Sequence, residues 1–281
     1  MKVLILGGDG MLAYALKQVF CFEKLLTFGH KTCDITNPVQ INYHLGNLKP
    51  DVVINCAAYT DVEMAEMEPN SCELVNHIAV KSLAEACKKH NCTLVHFSTE
   101  MVFGQEAPEG YEETVVPLDA PNVYGRTKRL GEKAIGAEWE KHYIVRTSWM
   151  FGPHGDNFID KMLRLGRKDR TLDVVNDQWA CPTYTFDLAR AVYDLLRDGA
   201  EYGVYHLTNL GSTSRHGWAW EIFDYVGYDV DLQPVPSKKF ITLARRPNNG
   251  VLLNTKRPEL RPWVDALVEY LMGIGEIMKY R

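Results

Sequence analysis

A chain of 281 residues, 46% hydrophobic and 24% charged, has ordinary globular composition and length enough for one large α/β domain with a smaller companion. Its net charge of −5 excludes the basic field that nucleic acid or an anionic membrane surface would require, and no apolar run is long enough to span a bilayer. The seven cysteines are scattered, odd in number and form no C-x-x-C pair, which suits reduced thiols in a cytoplasm better than a disulfide framework or a zinc site.

Lys2 to Gly7 reads as a buried first strand rather than a signal peptide, Gly7-Gly8-Asp9-Gly10 as a turn, and Met11 to Phe20 has helical spacing. Leu25 to Phe28 is a second short strand. Asn37-Pro38 opens a helix, with a capping side chain followed by proline at the first helical position. Asp51 to Cys56 is a third strand, a helical region clearest from Glu73 to His90 follows, and Thr93 to Ser98 is a fourth. Glu100 to Ala120 is loop-like; then come a helix bearing Tyr124 and a fifth strand, Tyr143 to Thr147. This rhythm predicts a doubly wound, Rossmann-like parallel sheet.

After Trp149 the pattern changes. Asn157 to Leu165 looks helical, Leu172 to Val175 strand-like and Phe186 to Leu196 helical. An aromatic-rich helix (Trp218, Trp220, Phe223, Tyr225), a segment around Pro234-Val235-Pro236 and a closing helix near Trp263 to Met278 complete the chain. Residues 1–150 are read as a dinucleotide-binding domain joined by elements from about 172–200, and residues 151–281 mainly as a substrate-binding lobe over the carboxyl ends of the strands.

Gly7-x-x-Gly10-x-x-Ala13, placed between strand and helix, permits a tight turn and the close approach of a pyrophosphate to the helix N-terminus. Asp9 is discordant, since a carboxylate repels that anion unless it turns away to cap the helix. The second strand ends without an acid to grip a ribose 2′-hydroxyl, whereas Lys31, with His30, would meet a 2′-phosphate; the reading favours NADPH, with NADH as the alternative. Asn76 would either bond near the active centre or bridge buried backbone.

Tyr124 and Lys128 stand at i and i+4, so on a helix both side chains leave one face. A free phenol titrates near about 10, and a neighbouring ammonium would lower that value toward efficient proton transfer. Thr99, at the end of a buried strand, would hold a carbonyl oxygen in line with the phenol. Together these are the parts that carbonyl reduction needs.

Asn55-Cys56-Ala57-Ala58-Tyr59-Thr60-Asp61-Val62, Ser98-Thr99, Asn122 to Lys128 and Arg146-Thr147-Ser148-Trp149 resemble the dTDP-4-dehydrorhamnose reductases, extended short-chain dehydrogenase/reductases. Asp177-Gln178 with Pro182-Thr183, and Ala244-Arg245-Arg246-Pro247, extend the resemblance almost to the C-terminus. It implies Thr99, Tyr124 and Lys128 as a catalytic triad. It implies a cofactor lined by Gly10, Met11 and Leu12, by Asp34 and Ile35, and by Ala57, Ala58 and Tyr59, with Ser98 added. Trp149, Glu100, Met101 and Arg245 would face the nucleotide-sugar substrate.

The chain departs from the family pattern in places. Glu100-Met101 stands for the usual Asp-Tyr, Met64 for a lysine and Gly250 for a serine. The implied activity is NAD(P)H-dependent reduction of a nucleotide-linked 4-keto-6-deoxyhexose, in a cytoplasmic protein without metal, nucleic acid or membrane partner, with a homodimer as the open quaternary state. The alternatives are a nucleotide-sugar epimerase and a non-catalytic regulatory subunit of the same fold.

Overall fold

The computed structural model describes residues 1–277. The first half alternates β1 (Lys2–Leu6), α1 (Met11–Val19), β2 (Lys24–Phe28), α2 (Pro38–Leu48) and β3 (Val52–Asn55). Two short helices, α3 (Val62–Met67) and α4 (Pro69–Glu73), run through a π-helical turn (Leu74–Ile78) into α5 (Ala79–His90). Then come β4 (Thr93–Thr99), a 3₁₀ turn (Glu100–Val102), α6 (Val123–Glu138) and β5 (His142–Thr147). The second half contains β6 (Met150–Phe151), α7 (Phe158–Gly166), β7 (Thr171–Val175), β8 (Trp179–Ala180), β9 (Thr183–Tyr184), α8 (Thr185–Arg197), β10 (Gly203–His206), β11 (Thr213–Ser214), α9 (Arg215–Val226), β12 (Asp231–Val235), β13 (Asn249–Gly250) and α10 (Trp263–Gly273). The closing helix thus ends before the expected Met278, which lies outside the described residues.

Six parallel strands form the large sheet in the order β2-β1-β3-β4-β5-β10. Strand alternation sends Val3, Ile5, Val52, Ile54, Val95 and Val145 to one face, under α1 and α8. Leu4, Leu6, Val53, Leu94 and Ile144 go to the other, under α2, α5 and α6. Each such side chain, fully withdrawn from water, stabilises the fold by about 2 kcal/mol. Asn37 begins α2 as its sequence predicts: Oδ1 accepts the Val39 and Gln40 amides at 3.0 and 3.2 Å.

A third core, around Trp218, Phe151, Ile222 and Leu267, builds the smaller lobe. Leu172–Val175 does not return to the large sheet, because β7 pairs in parallel with β12. The elements that do return are α8, packed on α1, and β10, whose strand lies beyond residue 200. Among the described residues no helix is long and apolar enough to cross a membrane.

Candidate active site

The strand order reverses between β2-β1 and β3, which opens a crevice at the carboxyl ends of β1 and β3. Gly7 has φ +74°, and a Cβ there would lie 2.4 Å from the Ala57 nitrogen, so only glycine lets the two turns touch. Gly10 caps α1 without a side-chain bond, and a Cβ on it would meet only the Gly7 carbonyl, at 3.7 Å. That open space over a helix N-terminus fits a pyrophosphate.

Leu12 and Ile35 are core side chains, at 6% and 4% exposure, so they offer a cofactor only their backbone. Met11 lies half-buried against Gly155. Asp9 does not cap the helix: its Oδ2 lies 2.0 Å from where a Gly29 Cβ would be, over the end of β2. Lys31 is exposed in the loop beyond. Asp34 accepts the Thr36 amide and hydroxyl at 2.9 and 2.8 Å, closing the turn before α2, and the amide chiefly holds its carboxyl below the usual range.

Ala57 and Ala58 are half-buried at the crevice, and the Tyr59 backbone is pinned by Asn76. Asn76 Oδ1 accepts Tyr59 N at 2.9 Å, and Nδ2 donates to Tyr59 O at 3.0 Å. Asn76 therefore bridges buried backbone, and the π-helical turn is what aims it there. At the end of β4, Ser98 Oγ is buried without a hydrogen-bond partner among the described residues, as a hydroxyl kept for a bound polar group would be. The crevice thus fits a dinucleotide.

Tyr124 and Lys128 lie on α6, whose N-cap Asn122 accepts the Gly125 amide at 2.7 Å. Gly125 is required: a Cβ there would sit 2.0 Å from the Met101 carbonyl, so the helix rests directly on the 3₁₀ turn after Thr99. Lys128 is 3% exposed, and its Nζ donates to Phe97 O at 2.6 Å and lies 3.2 Å from His96 Nε2. Burial lowers its pKa to about 8, against the pull of Glu132. Burial and the Lys128 charge likewise hold His96 well below the usual histidine range, so it is neutral.

Tyr124 does not follow the expectation that Lys128 lowers its pKa. Burial raises the phenol, and the Glu100 charge raises it further; the Thr99 hydroxyl alone opposes them. The ammonium is instead fixed on β4. Thr99 Oγ1 donates to Glu100 Oε2 at 2.8 Å and accepts the Met101 amide at 3.2 Å. Its single hydroxyl proton must turn from Glu100 before it can clamp a substrate carbonyl.

Glu100 is 4% exposed, with a pKa raised to about 6 by burial and partly restrained by Thr99 and Arg215. It packs directly on Gly250: a Cβ there would lie 2.7 Å from Glu100 Cγ. Two of the departures from the family pattern are thus in contact with each other. Met101 is buried, with Sδ 3.7 Å from Asn122 Nδ2.

Trp149 follows β5 in a left-handed conformation, φ +40°, strain of the kind that accumulates at functional sites. Arg215 Cζ lies over its ring, 3.7 Å from the centroid, and Trp218 stacks beside it at 5.6 Å. Sequence reasoning missed Arg215, because a lone arginine opening a helix carries no spacing signal; only the fold brings it to Trp149. Arg245 lines a groove of about 1020 Å³ and is exposed; its carbonyl accepts Asn122 Nδ2 at 2.8 Å. Glu63 fastens the segment 243–246 to α3, accepting the Leu243 amide at 2.7 Å and pairing with Arg246 at 2.6 Å.

The family described as RmlD substrate binding domain matches residues 1–274. The chain is 35% identical over 285 residues to the dTDP-4-dehydrorhamnose reductase of Mycolicibacterium smegmatis, covering 97% of this chain and 86% of that protein. It is likewise 35% identical to the dTDP-4-keto-6-deoxy-D-glucose reductase of Streptomyces niveus, over 95% of each. The crystal structure of dTDP-4-dehydrorhamnose reductase from Bacillus anthracis in complex with NADP superposes with a TM-score of 0.93 at 33% identity, over 97% of this chain and 100% of that one.

Proposed function

Because the chain belongs to the RmlD substrate binding domain family, that of the dTDP-4-dehydrorhamnose reductases, we propose that it reduces a dTDP-linked 4-keto-6-deoxyhexose with NADPH, most simply dTDP-4-dehydro-L-rhamnose to dTDP-L-rhamnose. NADH is the alternative cofactor. One observation carries the reading: a buried lysine and a tyrosine one helical turn before it sit beside a threonine hydroxyl at the carboxyl end of β4. Gly7, Gly10, Ala57, Ala58, Tyr59 and Ser98 hold the dinucleotide, which supplies the hydride when bound.

Tyr124 gives its proton to the oxygen of the reduced carbonyl. Its raised pKa keeps the phenol protonated and ready to donate at neutral pH, and the growing alkoxide, more basic still, takes the proton. Lys128, charged below about pH 8, supplies the positive field beneath the reacting oxygen. Thr99 turns its hydroxyl from Glu100 toward the carbonyl and aligns it with Tyr124.

A second keto-sugar is favoured by Glu100 and Gly250, two departures that touch each other in the wall nearest Thr99. The name of the Streptomyces relative points to dTDP-4-keto-6-deoxy-D-glucose. Retention of Thr99, Tyr124 and Lys128 argues against a non-catalytic subunit. The test is product formation from each keto-sugar with NADPH. Stoichiometric NADPH oxidation with a 4-hydroxy product from either sugar is expected; binding of NADPH with turnover of neither would refute the reading.

A further inference from the structure

We propose that Arg215 anchors the substrate diphosphate, with the sugar on one side of it and the nucleoside on the other. The inference rests on the reductase reading above and adds the seat of the anion. Two concavities meet in the lobe. A small one, walled by Glu100, Met101, Trp149 and Gly250, adjoins Thr99; a long groove runs past Phe158, Lys161, Met162 and Val174. Gln178, Arg215 and Arg246 belong to both. A nucleotide sugar has its parts in fixed order, so a molecule with its keto carbon at Tyr124 carries its diphosphate past that shared wall.

The two guanidiniums there differ. Arg246 is already paired, its Nη1 2.6 Å from Glu63 Oε1. Arg215 has no hydrogen bond and no ion pair within 4.0 Å among the described residues; it is half-buried, and desolvation lowers its pKa to about 10, with Glu100 opposing the drop. It stays charged at neutral pH. A partly desolvated cation whose donors lack hydrogen-bond partners costs folding free energy, which an anion accepting its fork of donors returns. Trp149 beneath the guanidinium holds it in place while its edge stays free. Glu100, on the sugar side, repels an anion that slides past Arg215 and so fixes the register of the substrate.

The other role open to Arg215 is that of structural counter-charge to Glu100, and ligand binding separates the two. Titration calorimetry on the NADPH-loaded protein would compare thymidine with dTDP for wild type, Arg215→Gln and Arg215→Lys. We expect dTDP affinity to fall by about tenfold or more in Arg215→Gln and to recover in part in Arg215→Lys. Thymidine and NADPH affinities should stay within about twofold. An unchanged dTDP affinity, or equal losses for thymidine and dTDP, would overturn the assignment. A wild-type protein that binds neither nucleotide would instead remove the reductase reading on which it stands.

Discussion

The two walls of the crevice are built differently. On the large sheet, Lys128, Tyr124 and Thr99 hang from regular elements that rest on backbone: Lys128 donates to Phe97 O, Thr99 accepts Met101 N, and the Met101 carbonyl lies against Gly125 of the helix. On the substrate side, Glu100 and Trp149 follow β4 and β5 while Arg215 and Gly250 come from the lobe, so four distant segments meet and are held by one another through charge and packing. We read the first wall as the one that positions the chemistry. We read the second as the one that positions the substrate.

The largest effect belongs to the sheet wall. Lys128→Met should reduce kcat by about 10²-fold or more, the size of a lost charge at a reacting oxygen, in steady-state kinetics at saturating NADPH. In the wild type the same residue predicts a pH limit. Its folded pKa of about 8 means that the ammonium is lost above that value, so kcat should fall on the alkaline side near pH 8. A flat profile to pH 10 would break the contrast between the walls.

The lobe wall should respond in pairs. Gly250→Ser pushes a Cβ to 2.7 Å from Glu100 Cγ and should destabilise by about 1–3 kcal/mol in urea unfolding. Adding Glu100→Ala, which removes that Cγ, should make the serine cost little further, a coupling of about 1 kcal/mol or more. Simple additivity would mean that the two positions do not share the space.

Glu100 also sets a stability window. Its folded pKa, about 6, lies above the ordinary 4.5, so the folded state binds the proton more tightly. The contribution is full below pH 4.5 and is lost as pH rises through 6, about 2 kcal/mol in all. Glu100→Gln should flatten that part of the stability curve.

The smallest effect lies at the cofactor edge. The Asp9 carboxylate over Gly29 disfavours a 2′-phosphate, so Asp9→Asn should shift the NADPH/NADH preference toward NADPH by a few-fold.

The same division explains what the sequence made legible. Strand-and-helix alternation revealed the sheet, Asn37-Pro38 its helix start, and the i,i+4 spacing of Tyr124 and Lys128 their shared face, because each depends on neighbours in the chain. The pairing of β7 with β12, and the placing of Arg215 on Trp149, depend on contacts between distant segments and leave no local pattern. The direction of the Tyr124 pKa failed for the same reason. Spacing shows that Lys128 is near, but only the fold shows its ammonium tied to Phe97 and the Glu100 carboxylate beside the phenol. Glu100 and Gly250 were visible as separate departures, and only the structure joins them.

The central claim is that the sheet wall performs proton-coupled carbonyl reduction through Tyr124. Turnover of the keto-sugar by Tyr124→Phe, measured beside wild type at matched NADPH saturation, tests it most directly. The account predicts a kcat lower by about 10²-fold or more with NADPH affinity within a few-fold. Turnover within a few-fold of wild type would contradict it.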